Sequence, residues 1–119
     1  MTNDVKVQGN TIIIVYNGKL VIRSVKRIHF CEVSGRNCNI YFDLKKPVIA
    51  PIAMKELEQM LSSADFGKCH IHYLIHYAIL RYAVIEGDKI CYDKFCFPIA
   101  RLRFDNFMDG VTAYYNAGN

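Results

Sequence analysis

The strongest hairpin signal in this 119-residue chain lies in the stretch Thr11-Ile-Ile-Ile-Val-Tyr-Asn-Gly-Lys-Leu-Val-Ile-Arg23. Two runs rich in β-branched and aromatic residues flank Asn17-Gly18, a pair that favours the positive φ angles of a type I′ turn. The stretch therefore predicts a β-hairpin. The ten residues before it are mostly polar and predict a flexible N-terminal tail over residues 1–10.

Short apolar runs separated by tight turns continue along most of the chain and predict further strands. The proline-flanked stretch 48–52 can only be an edge strand, because proline has no N–H to donate to a second neighbour. The other expected strands cover residues 28–33, 38–44, 73–77, 80–85, 89–92 and 95–97.

Two segments have helical periodicity. Residues 54–61 place Leu57, Met60 and Leu61 at the i, i+3, i+4 spacing of one helix face. A second, amphipathic helix is expected from Ala100 to about Tyr114. The residues expected on its inner side are Leu102, Phe107, Met108 and Val111. Since nothing alternates as β-α-β, we predict a mainly β domain with peripheral helices.

Composition indicates a single globular domain, with 52% hydrophobic and 22% charged residues. No apolar run approaches the roughly 18 residues of a membrane span. The N-terminus lacks the basic and apolar regions of a secretory signal, so we expect a cytoplasmic protein. Met1 favours a stand-alone domain over an excerpt. The net charge of +4 permits an acidic partner without requiring one.

The five cysteines are an odd number without a C-x-x-C pair, which predicts reduced thiols rather than a disulfide framework. Cys91 and Cys96 flank a short turn and could lie opposite each other on paired strands. A redox bridge there is the alternative to two small core residues.

The sequence holds no glycine-rich phosphate loop, nucleophile elbow or zinc-protease motif, so we predict no enzyme and no cofactor. Cys69-His70-Ile71-His72, followed by His76, is the one unusual cluster. His70 and His72 share a strand face, as two metal ligands could. The other interpretations are polar side chains on a wet strand, or hydrogen-bonding groups at a recognition surface.

Basic and amide side chains in several turns suggest nucleic acid as a partner. Arginine and asparagine can read guanine and adenine edges, and lysine pairs suit phosphates. Solvated loop charges explain the same residues equally well unless the fold brings the turns together. The residues concerned are Arg36, Asn37, Lys45, Lys46, Lys68, Arg101 and Arg103.

The order of several motifs resembles that of LytTR-type DNA-binding domains, over about residues 11–113. These motifs are Ile28 to Asn37, with an acidic residue before a polar loop; Leu57-x-x-x-Leu61; Phe66-Gly-Lys-Cys-His70; His72-Tyr-Leu-Ile-His76; and Phe97-Pro-Ile-Ala-Arg101. The resemblance implies an elongated β-β-β sandwich whose inter-strand loops enter successive major grooves of double-stranded DNA to regulate transcription. It leaves residues 114–119 as a C-terminal tail.

Site residues follow from this resemblance by position. Those implied to contact bases are Arg36, Asn37, His70 and Arg101. Those implied to contact phosphates are Lys45, Lys46, Lys68 and Arg103. A dimer or tandem half-sites are expected, because one small module buries too little surface for specific affinity.

Four positions depart from the family pattern. Ile71 replaces a polar or basic residue, His72 a serine, His76 an asparagine and Ala100 a serine. An isoleucine offers no hydrogen bond to DNA, although it can touch a thymine methyl group. The alternative function is therefore a protein-interaction or regulatory module that keeps the LytTR fold and has lost DNA binding.

Overall fold

The computed structural model describes residues 1–119 as three antiparallel β-sheets with two α-helices. The strands are β1 Asp4–Gln8, β2 Thr11–Tyr16, β3 Lys19–Ser24, β4 Phe30–Ser34, β5 Asn37–Tyr41, β6 Val48–Ala50, β7 Phe66–His70, β8 Tyr73–His76, β9 Val84–Glu86, β10 Lys89–Tyr92 and β11 Phe95–Pro98. The helices are α1 Met54–Met60 and α2 Phe104–Asn116, and 3₁₀ turns cover Val25–Arg27, Tyr77–Tyr82 and Arg101–Arg103.

The predicted hairpin is confirmed as β2 and β3 of the first sheet, whose order is β1-β2-β3. Asn17 and Gly18 both adopt positive φ angles, 49° and 79°, as a type I′ turn requires.

The predicted N-terminal tail is wrong for residues 4–8. They form β1, which pairs along its whole length with β2 and buries Val5. The strand escaped prediction because it is short and only Val5 is buried, with Val7 packing partly buried against the same core.

The central sheet has five strands in the order β6-β5-β4-β8-β7, and it carries a core on each face. One face packs against the first sheet and α1, through Ile12, Ile14, Cys31, Ile40 and Leu57 among others. The other packs against the third sheet, β9 to β11, and α2, through Phe30, Ile75, Ile90, Phe97 and Phe107 among others. The layers extend over 43 × 29 × 25 Å, confirming the predicted elongated β-β-β sandwich.

β6 lies at an edge of the central sheet, as its prolines predicted. The strand expected over 80–85 is shorter, because residues 77–82 form a 3₁₀ turn and only Val84–Glu86 pairs. Short apolar runs suit a strand or a buried helical turn equally well, and here burial of Tyr77, Ile79 and Leu80 favours the turn.

The C-terminal helix begins later than predicted and continues to Asn116, through the first part of the expected tail. Phe107 is its buried anchor. Leu102, expected on the inner side, is 98% exposed, because it lies in the 3₁₀ turn before the helix and outside its phase. Neither helix is long and apolar enough to cross a membrane.

Tyr77 fixes the position of α2 on the central sheet. Its ring and hydroxyl lie against Gly67 of β7 and Gly110 of α2, where an added Cβ on either glycine would overlap with them. The Tyr115 hydroxyl donates to the Tyr77 carbonyl from the same helix. The helix and β7 therefore meet around one aromatic side chain.

Candidate nucleic-acid interface

Two backbone hydrogen bonds hold three chain segments together at one end of the central sheet. The Val33 N–H donates to the His72 carbonyl over 2.9 Å and joins the β4–β5 turn to the β7–β8 turn. The Ala100 N–H donates to the Cys69 carbonyl over 2.8 Å and joins β7 to the 3₁₀ turn at 101–103. We call this end of the sheet the loop end. It comprises the β4–β5 turn, the β7–β8 turn and the 3₁₀ turn at 101–103.

The three turns and the start of α1 border a groove of about 620 Å³, the loop groove. Its lining includes Arg36, Asn37, Lys68 and Arg103, four of the residues predicted to contact DNA. These residues are far apart in sequence, so the fold brings together what the sequence only suggested. The other lining residues are Val33, Gly35, Ala53, Met54, Lys55, Glu58, Ile71 and His72.

Positive charge exceeds negative charge in the loop groove. Lys68 is 12% exposed and its Nζ lies 3.9 Å from Oε1 of Glu58, the only carboxylate in the lining. No carboxylate lies within 4.0 Å of the charged groups of Arg36, Lys55 or Arg103. Three cationic side chains are thus free to bind an anion such as a phosphate group.

His70 lies beside the groove with its ring centroid 5.2 Å from that of His72. Its Nδ1 accepts the His72 backbone N–H over 3.1 Å, which places the proton of the neutral imidazole on Nε2. Burial, together with His72 and Arg103, lowers the pKa of His70. At neutral pH the ring is therefore an uncharged hydrogen-bond donor through Nε2.

Two aliphatic side chains project into solvent among these polar groups. Ile71 is 58% exposed in the β7–β8 turn, and Leu102 is exposed between Arg101 and Arg103. Arg101 is itself exposed and stands on the same 3₁₀ turn, outside the lining of the groove. The loop end can therefore offer apolar as well as hydrogen-bonding contacts.

The structure does not bring Lys45 and Lys46 to the loop groove. They follow β5, whose first residue is at the loop end, and so lie at the opposite end of the central sheet. There, their backbone N–H groups donate to Oδ1 of Asp43 over 2.7 and 3.0 Å, and these bonds lower the Asp43 pKa.

The histidine cluster divides between surface and core. His76 is buried; its Nδ1 lies 2.8 Å from the Ile28 carbonyl and its ring stacks on Phe66 at 4.6 Å. His70 and His72 are at the loop end, one β-strand away. No three His, Cys, Asp or Glu side chains lie together in an arrangement that could hold a metal ion.

Sequence reasoning missed Lys55 and Glu58 as residues of the groove. Their i, i+3 spacing places them on one face of α1, and the apolar positions of that helix indicate which face is outward. Nothing in the sequence, however, shows that this face lies beside Lys68 and Arg103.

No protein-family model and no curated protein matches the chain. Among solved structures, it is similar to the LytTr DNA-binding domain of a putative methyl-accepting/DNA response regulator from Bacillus cereus, with a TM-score of 0.71 and 9% sequence identity. The similarity covers 87% of this chain and 98% of that domain. The chain therefore has the fold of a LytTR-type DNA-binding domain, in a highly divergent sequence.

Proposed function

We propose that the chain is a sequence-specific regulator of transcription that binds double-stranded DNA through its loop end. One observation carries this proposal: in a LytTR fold, three separate turns converge on a groove with unpaired cationic side chains. The similar domain from Bacillus cereus is described as DNA-binding, which supports the same function here.

The residue types at the loop end suit the two kinds of contact that such binding needs. Arg36, Asn37 and Arg101 are of the residue types that read base edges, and His70 can donate from Nε2 to an acceptor such as guanine N7. Arg103 and Lys68 would contact phosphates, which position the protein without reading sequence.

Two copies or tandem half-sites would complete a specific site. A single module of this size buries roughly 600–1,000 Å² on DNA, at the low end of specific interfaces. We therefore expect the preferred DNA to contain a repeated element rather than one short motif.

Selection from a random duplex pool, followed by a titration at several salt concentrations, tests the proposal. The logarithm of the affinity should fall with the logarithm of salt, with a slope of about −0.9 for each phosphate contacted. Arg36→Ala should weaken binding to the selected site, and Arg23→Ala, an exposed arginine on β3, is the matched control. Absence of any binding at low salt would contradict the proposal.

The outer face of the first sheet favours a second candidate function, a protein-interaction module. Ile13 and Ile22 are cross-strand partners, as are Val15 and Leu20, and together they form an aliphatic face on the solvent side of β2 and β3. Leu20 and Ile22 are 52% and 54% exposed. Contiguous exposed apolar surface often marks a binding site for another protein.

The double variant Leu20→Lys/Ile22→Lys separates the two functions. If the chain acts through this face, the variant should lose self-association or partner binding in sedimentation experiments. Its affinity for the selected DNA should equal that of the unmodified chain. An unchanged sedimentation profile, together with DNA binding by the unmodified chain, would eliminate the interaction function.

A further inference from the structure

Cys91 and Cys96 face each other across the hairpin formed by β10 and β11. They are one pair away from the two-residue turn Asp93–Lys94, which is closed by Tyr92 and Phe95. A two-residue turn is closed by a hydrogen-bonded pair, so the next pair is of the non-hydrogen-bonded type, with Cα atoms about 4.5 Å apart. Disulfides join Cα atoms roughly 4.4–6.8 Å apart, so the two sulfurs can bond without moving the strands.

The pair lies on the outer face of the third sheet, since Ile90, Tyr92 and Phe97 are the core-facing neighbours. Cys96 is exposed and Cys91 is half-buried. A hydrogen bond between the two side chains raises the pKa of Cys91. The strand register therefore places the two thiols side by side, with Cys96 open to reagents in solution.

The other three cysteines are protected. Cys31, Cys38 and Cys69 are fully buried. Burial raises the pKa of Cys38 to about 11 and that of Cys69 to about 12, and it raises the pKa of Cys31 well above its usual value. Because these three thiols are out of reach of solvent and the thiolate is the reactive form, an oxidant in solution reaches only the pair on the hairpin, through the exposed Cys96.

We propose that Cys91 and Cys96 form a redox modification site that closes reversibly as a cross-strand disulfide, with a low-molecular-weight disulfide such as glutathione disulfide as the oxidant. The Cys96 thiolate attacks one sulfur of the oxidant, which breaks its S–S bond and releases one small thiol. The Cys91 thiolate then attacks the Cys96 sulfur of the mixed disulfide and releases the second small thiol. The two cysteines lose two electrons and two protons in total, and the oxidant becomes two thiols.

The site is independent of the proposed DNA binding, although β11 leads through Pro98 into the 3₁₀ turn that carries Arg101. Its test therefore needs no DNA. A chain that forms no Cys91–Cys96 disulfide can still bind DNA, and a chain that binds no DNA can still form the disulfide.

The test is to equilibrate the reduced chain in a glutathione buffer rich in the disulfide form, unfold it in the presence of the alkylating reagent so that every remaining thiol reacts, and digest it with trypsin. Every cysteine lies on its own tryptic peptide, since basic residues separate all five. We expect peptide 90–94 to be linked to peptide 95–101 by a bond that dithiothreitol breaks. Peptides 28–36, 37–45 and 69–81 should carry only the alkylating group.

Cys91→Ser and Cys96→Ser identify the role of each thiol. Without Cys91 the reaction should stop at a stable glutathione adduct on Cys96, and without Cys96 adduct formation should be many times slower. A stable glutathione adduct on the unmodified chain, a bond from Cys96 to Cys69, or two unlinked thiols would overturn the proposal. These outcomes are read on the unmodified chain, so they decide the matter even if a variant folds poorly.

Discussion

The two ends of the central sheet both carry cationic side chains, but they differ in how the chain supplies them. At the opposite end the cations are sequence neighbours, Lys26 with Arg27 and Lys45 with Lys46. At the loop end they come from widely separated positions and border one groove. The neighbouring pairs are conspicuous in the sequence, whereas the dispersed set becomes a surface only after folding.

Local charge density is therefore a poor guide to a binding surface. The turn with Lys45 and Lys46 is organised around Asp43, which accepts both of their backbone N–H groups. Lys26 and Arg27 border a smaller cavity of about 270 Å³, whose other lining residues include His29 and Tyr92. Several segments line each cavity, but only at the loop end do the cationic side chains themselves come from separate segments.

The largest expected effect is that of removing two charges from the loop groove. Arg36→Ala/Arg103→Ala should weaken binding to a selected duplex by about 1–3 kcal/mol for the base contact of Arg36, with a further loss, the same for all DNA sequences, for the phosphate contact of Arg103. Fluorescence anisotropy at fixed salt measures the change. Lys26→Ala/Arg27→Ala removes the same charge at the opposite end, and an equal loss there would abolish the distinction between the two ends.

A smaller effect is expected from Leu102. If its side chain packs on a thymine methyl group, Leu102→Ala should lose about 0.8 kcal/mol, the value of one buried methylene. Replacing thymine with uracil in the selected duplex should weaken the unmodified chain by a similar amount and leave the variant unaffected. Leu20→Ala, another exposed leucine, should remain sensitive to uracil.

Glu58→Gln should strengthen DNA binding. The change frees Lys68 from its ion pair and removes the only carboxylate of the loop groove. Partly exposed ion pairs contribute about 0.2–1 kcal/mol, so the affinity should rise by about 1.4-fold to fivefold at low salt. Glu56→Gln, on the exposed side of the same helix, is the control, and equal gains in both variants would indicate only a change in overall charge.

The opposite end should make the stability of the fold dependent on pH. Burial, and to a lesser extent the charge of His76, lower the pKa of His29 from its usual 6.5. Asp43 raises this pKa by less than His76 lowers it, and Arg27 has the smallest effect, which lowers it. The unfolded chain therefore takes up a proton more readily, so stability is present above about pH 6.5 and is lost as the pH falls below it. The midpoint of thermal unfolding should decrease on acidification, and His29→Gln should reduce that decrease. An identical pH profile in the variant would exclude His29 as its source.

The smallest effect is expected from Lys45→Ala/Lys46→Ala, because neither side chain lies in the loop groove. The affinity for DNA should change by no more than about twofold. Each lysine that contacts a phosphate contributes about one unit to the salt slope, so an unchanged slope is expected for two lysines that contact none. A salt slope reduced by about two would indicate that both lysines contact phosphates, as the resemblance implies, and that the DNA interface reaches the opposite end of the sheet.

Local sequence signals predicted the parts of the fold that are determined locally. Asn17-Gly18 specifies its turn because both positions need positive φ angles, and the prolines near β6 exclude a second neighbour. β1 could not be predicted in the same way, since its pairing depends on β2 and one buried valine. The 3₁₀ turn at 77–82 is decided by tertiary burial.

Some residues of the candidate site were predictable one by one, but the surface that they form was not. Arg36, Asn37 and Arg103 were identified from their chemistry and from the order of motifs. Their juxtaposition depends on the hydrogen bonds from Val33 to His72 and from Ala100 to Cys69, which join positions distant in sequence. The inclusion of α1 and the exclusion of the paired lysines follow from this packing alone.

The contact of Tyr77 with Gly67 and Gly110 imposes a rule on any sequence that keeps this arrangement. An alanine at either glycine requires that the aromatic ring move or become smaller, and a smaller ring leaves a gap that the other glycine cannot fill. The three positions can therefore change only in concert. The position of the last helix on the sheet is therefore determined by the combined size of three side chains rather than by any one of them.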